Sequence, residues 1–211
     1  GDRPGLPKQI LDQLPAEAPL RQVKVHTSAD GQLAVDTIVL GDIPRFDPTE
    51  AAQQARLDTI LGLAKKAGAD LDSVRSFLLR ASADFVRSAT ALRAIRCADR
   101  YAAVKGTEDT LVQLEPEADP TLSRVVITVG NATPRRMFER CADLLGGHRV
   151  NIHRAFVDVV EDPGHGYVTL FSYLVRGPDG RALDADGASW RALAPALARA
   201  KWISDAALAL S

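Results

Sequence analysis

The sequence predicts an α+β fold: two strand–helix–strand–strand–helix units with antiparallel sheets, separated by a helical insert. Three observations predict it. Between Arg124 and Gly180 the hydrophobic period switches between the strand and helix values three times. A second loop–helix–strand–strand run opens the chain, over Asp2 to Leu40. Between these lies a stretch with helical periodicity alone, followed by the acidic, Pro-bearing segment Glu115 to Pro120, which suits a boundary. The units are expected at 1–67 and 122–205, with 68–121 as insert and linker. The first strand of the first unit would lie before Asp2, where the chain has no residues. Because it begins with Gly1 rather than Met, the chain reads as a fragment of something longer.

Asp2-Arg3-Pro4-Gly5-Leu6 turns into a short helix, Lys8 to Leu14, closed by Pro15 and Pro19. Arg21 to Thr27 alternates apolar Val23 and Val25 with polar residues, and Ser28-Ala29-Asp30-Gly31 turns it into a second strand, Leu33 to Leu40. Residues 48–67 carry Leu57, Ile60, Leu61 and Ala64 on one helical stripe, and 70–80 carry Leu71, Val74, Phe77 and Leu78. Gly68 and Asp70 separate the two as C-cap and N-cap signals. A short helical piece covers 82–87. Thr90 caps a further helix with Leu92, Ile95, Ala98 and Tyr101, which Gly106 to Asp109 ends. Thr110 to Leu114 is a brief strand, and the candidate to replace the missing first strand.

Arg124 to Val129 is a β-branched run that suits a strand buried on both faces. Thr133-Pro134 reads as an N-cap followed by Pro at the first helical position. Met137, Phe138, Cys141, Leu144 and Leu145 form the stripe of that helix, and Gly146-Gly147 should stop it by allowing a left-handed residue. Strands follow at 150–160 and 167–175 around the turn Glu161 to Gly166, and a last helix fits 189–203. The expected arrangement places helices on one face of an antiparallel sheet.

The strand followed by Asn131-Ala132-Thr133-Pro134, the helix, and the entry Gly147 to Ile152 resemble an ACT domain, a ferredoxin-like module that often senses amino acids in metabolic enzymes. Asp2-Arg3-Pro4-Gly5-Leu6, with Thr27 and Ala34-Val35-Asp36-Thr37, resembles the ACT domains of uridylyltransferases and large dehydrogenases. The middle adds Asp72 to Val86, Arg93 to Arg96 and Val112 to Glu115. In that order the chain resembles the N-terminal, non-catalytic region of the large bacterial NAD-dependent glutamate dehydrogenases. The resemblance implies an amino-acid effector, a catalytic region elsewhere in the parent enzyme, and self-association. It also implies that NAD binds outside this segment.

Composition excludes several classes. Hydrophobic residues are 46%, charged residues 25%, and formal net charge is -1, so bulk electrostatics favours neither nucleic acid nor an anionic membrane. Aromatic content of 5% weakens a base-stacking reading further. No apolar run approaches the ~20 residues needed to span a bilayer, and no signal peptide is present. Cys97 and Cys141 fall on apolar helix faces and read as reduced core thiols, which fits the cytoplasm.

Two loops are candidate ligand sites. At the first, Gly5 lets backbone approach a ligand, the following helix offers free N–H groups, and Asp2 and Arg3 supply charge. At the second, Asn131 offers a donor and acceptors beside the helix that Thr133 begins, and Asn151 could face the same ligand across a unit interface. The plainer alternative is that Asn131 shapes a turn, Thr133 caps a helix and Asn151 starts a strand. Arg135 and Arg136 oppose the helix dipole in a first turn, and pair either with an acidic partner or ligand or, on a solvated face, with Glu139, Asp143 or another domain. The insert is dense in arginine, at Arg75, Arg80, Arg87, Arg93, Arg96 and Arg100. His153 and His165 could meet across a hairpin. No metal, Walker, Gly-x-Gly-x-x-Gly or Gly-x-Ser-x-Gly spacing is present. The expected function is regulatory, with a purely structural assembly module or the ACT region of a nucleotidyltransferase as alternatives.

Overall fold

The computed structural model describes residues 20–27, 34–41 and 45–202. The Asp2–Gly5 loop and the Lys8–Leu14 helix lie outside them. Six strands form one antiparallel sheet: β1 (Leu20–Thr27), β2 (Ala34–Leu40), β3 (Thr110–Pro116), β4 (Ser123–Gly130), β5 (Asn151–Asp162) and β6 (Gly166–Arg176). Their order across the sheet is β2-β1-β5-β6-β4-β3.

A single sheet therefore runs through both expected units. β1 joins β5, with Gln22 opposite Asp158 and His26 opposite Arg154. Thr110–Leu114, expected to replace a strand of the first unit, lies in β3 at the far edge and pairs with β4 throughout. Only residues 117–122 connect these two strands. So short a link favours a hairpin over a separate sheet, and the segment read as a boundary is the end of β3 and the first part of that hairpin's loop.

Helices cover both faces rather than one. Val125, Ile127, Val129, Ala155, Val157, Phe171 and Tyr173 face α5 (Pro134–Gly147) and α6 (Ala188–Arg199). Val160, Val168 and Leu170 instead face a layer made by α1 (Ala51–Lys66), α2 (Leu71–Leu78), α3 (Ala83–Ser88) and α4 (Ala91–Val104). The cause is legible in β4, where Val125, Ile127 and Val129 alternate with Val126 and Thr128, all buried. A one-sided sheet would leave the second set in water. In the second layer Phe77 meets Phe85 edge-on, centroids 5.2 Å apart, and Tyr101 at 5.8 Å. Those contacts bring α2, α3 and α4 to one apolar focus.

N-capping follows the sequence at two of the three marked positions. Asp70 accepts from the backbone N–H of Asp72 and Ser73, and Thr90 from Arg93; Ser82, not marked, also caps by accepting from Phe85. Thr133 occupies the N-cap position of α5, but its side chain makes no capping bond. Gly146 and Gly147 do not stop α5. The helix runs through both, and the left-handed residue is Arg149, with φ 57°. A short 3-10 helix, Ala200–Trp202, continues α6. Among the described residues no helix is long and apolar enough to cross a membrane.

Candidate functional site

The candidate site lies at one end of the sheet, where β4 and β5 finish and β6 begins. Here the loop between α4 and β3 crosses β4 at very short range. A Cβ on Gly130 would lie 2.3 Å from the carbonyl oxygen of Thr107 and 2.8 Å from that of Val104. Only glycine fits. The crossing is pinned by the Gly130 N–H donating to the Asp109 carbonyl at 3.0 Å, and by the Gly106 N–H donating to the Asp162 carboxylate at 2.5 Å.

Asn131 follows directly in the left-handed conformation, φ 47°, and its N–H donates to the Tyr167 carbonyl at 2.8 Å. Its exposed side chain donates to one oxygen of Glu108. The other Glu108 oxygen accepts from the Lys201 ammonium. The same ammonium donates to the Gly130 carbonyl at 2.8 Å and the Glu108 carbonyl at 3.3 Å, and lies 4.9 Å from the Trp202 ring centre. Hydrogen bonds from Lys201 and then Asn131 hold the Glu108 carboxyl below its ordinary range. Arg140 positions the 3-10 helix by donating to the Ala200 and Lys201 carbonyls at 3.1 and 2.9 Å.

Asn131 is thus central to the cluster. Exposed Thr133 starts α5 three residues after β4 ends. Asn151 is not brought to it. Asn151 opposes Arg176 on β6, whereas Gly130 opposes Val168, eight residues along the same strand. At the rise of an extended strand that is roughly 25 Å. The two histidines separate for the same reason. His165 lies in the β5–β6 turn beside Gly106, and His153 stands near the opposite end of β5. A hairpin juxtaposes residues equidistant from its turn, and His165 is in the turn itself. Asp2, Arg3 and Gly5 lie outside the described residues. Glu108 and Lys201 were missed by sequence reasoning, since neither falls in a motif and they stand 93 residues apart.

Two arginines of the insert, Arg96 and Arg100, line a cleft between α4 and β3. Arg100 donates to Gln113 at 2.8 Å and to Glu115, and Arg96 reaches the other Glu115 oxygen at 3.5 Å. Arg93 pairs with Asp158 at 2.7 Å and lies 4.9 Å from the Phe85 ring centre. These three arginines thus meet carboxylates of the same chain. Arg135 likewise pairs with Glu139 at 3.0 Å, one of the two alternatives for it.

Both cysteines are free and buried. Burial, reinforced by the Asp158 charge, pushes the Cys97 thiol up to about 11, and burial raises Cys141 further. Neither is a ready nucleophile. In native protein near pH 8 an aromatic disulfide reagent should modify neither thiol, whereas denaturation should release both. A fast native phase would disprove the burial. For Cys97 the folded value exceeds the unfolded one, so its contribution is complete below about pH 8.5 and is lost as pH rises towards 11.

Among the described residues no group of three or more His, Cys, Asp or Glu stands at metal-binding distance. Comparison of the chain with profiles of known protein families, with curated proteins and with solved structures finds no match.

Proposed function

We propose that this chain is a non-catalytic regulatory segment that binds a small amino-acid effector at the Asn131 end of its sheet. The observation that carries the reading is the convergence of the Glu108 carboxylate, the Gly130 carbonyl and Asn131 beside the first turn of α5. Such a group of acceptors suits an ammonium, and the positive end of a helix dipole suits the carboxylate of the same ligand. Residues 123–199 also keep the strand–helix–strand–strand–helix order of an ACT-like unit. On the sequence resemblance, the parent is a larger NAD-dependent glutamate dehydrogenase whose catalytic part binds NAD and receives the signal. The effector acts by favouring one arrangement of that enzyme over another.

A thermal-shift panel of the twenty amino acids, with NAD and simple nucleotides alongside, tests this. Ligand at a hundredfold its Kd stabilises by roughly 2.7 kcal/mol, several degrees for a chain of this size. One amino acid should give that shift, and NAD none. Asn131→Gly should abolish the shift and leave the unliganded Tm nearly unchanged, because glycine keeps the left-handed backbone while removing the amide. A flat panel on the wild type rejects the sensor.

Subunit assembly is the second reading. It is favoured by β3, an edge strand that pairs with β4 without a bulge and so presents a regular edge for another strand. A dimer in sedimentation together with a flat panel would favour it.

A further inference from the structure

Lys201 is seated more like a bound ligand than like a surface lysine. Its ammonium meets three oxygens, the Glu108 side-chain carboxylate, the Glu108 carbonyl and the Gly130 carbonyl, with the Trp202 ring alongside. Its side chain is only 10% exposed, while that of Glu108 is 53% exposed, so the cradle is closed around the lysine stem and open on the carboxylate side. Three acceptors match the three donors of a primary ammonium. Two of them are backbone oxygens held by the Gly130 crossing, and therefore persist without the lysine.

We propose that this cradle is a binding site for a primary ammonium group, occupied in this structure by the chain's own Lys201, and that an amino-bearing effector competes with Lys201 for it. This rests on the effector reading above and adds to it the group recognised and the residue displaced. Tethering presents Lys201 at an effective concentration in the millimolar range or above. A simple amine therefore gains little against it, and an effector needs a second contact, such as its carboxylate, to prevail. Displacement frees the 3-10 helix from the cradle and leaves it held by the Arg140 bonds and by the buried Ala200.

The test is chemical rescue of Lys201→Met in the full chain, which keeps an apolar stem and removes the amine. The probe is propylammonium chloride, with tetramethylammonium chloride at equal ionic strength as a control that has no N–H. Propylammonium should raise the Tm of the variant saturably by several degrees beyond the control. The wild type should respond equally to both salts, and adding Glu108→Gln to the variant should remove the rescue. If Lys201→Met is unfolded on its own, the same titration is read as refolding by far-ultraviolet circular dichroism. An identical response of the variant to the two salts overturns the site. No amino acid enters this experiment, so its failure leaves the amino-acid panel on the wild type to judge the effector reading separately.

Discussion

Glu115→Leu should destabilise the fold by about 3 kcal/mol. Glu115 accepts from Arg100, whose side chain is 10% exposed, while its own is 18% exposed. Removing the carboxylate leaves a guanidinium in the cleft between α4 and β3 with Gln113 as its remaining described partner. The penalty is that of an uncompensated buried charge, not the modest net worth of the pair, so a double-mutant cycle separates the two. Arg100→Met made on top of Glu115→Leu should cost much less than Arg100→Met alone, with a coupling of about 1–3 kcal/mol. Urea unfolding of the four proteins measures it. Additivity within about 0.5 kcal/mol would show that the pair is solvated and that the cleft is no more than a charged surface.

The second large effect is expected at Gly130. Gly130→Ala places a methyl group against two backbone carbonyls at 2.3 and 2.8 Å, and no rotamer change relieves that contact. Either the α4–β3 loop or the end of β4 must move, at about 3 kcal/mol. Gly146→Ala is the internal control. It lies within α5, has no heavy atom within 4 Å of its added methyl, and should stabilise by up to about 1 kcal/mol. Similar effects from the two substitutions would refute the close crossing. In Gly130→Ala the cradle around Lys201 should also loosen, since one of its three oxygens belongs to residue 130 itself.

Some local signals in the sequence translated directly into local structure. Asp70 and Thr90 cap the helices they precede, because capping is decided within three residues, whereas Thr133 makes no capping bond. The stripes through Leu57 and Ile60, and through Met137 and Phe138, mark buried helix faces. Periodicity says that a helix has an apolar face but not which side of a sheet receives it, so the covering of both faces was missed. Strand pairing was missed for a related reason. The alternation in residues 20–27 is the same whether its neighbour is β5 or a strand of its own unit. Asn131 was singled out because a polar residue between a strand and a helix is a local pattern. Glu108 and Lys201 needed the fold to bring them together, and the separation of Asn151 from Asn131 needed the direction of each strand.

The pairing of β1 with β5 sets a timetable for synthesis. Gln22 and Asp158 are partners, 136 positions apart (158 less 22). At about 5–20 residues per second a ribosome takes roughly 7–27 s to travel between them. For most of that interval β1 and β2 have been made, and the strand that will match the other edge of β1 has not. A chain of this topology spends its youth as a sticky ribbon. Cells producing it at high rate would gain from a holdase that covers that edge, or from slower translation after β5, which would let the ribbon close before a neighbouring polysome supplies a rival strand.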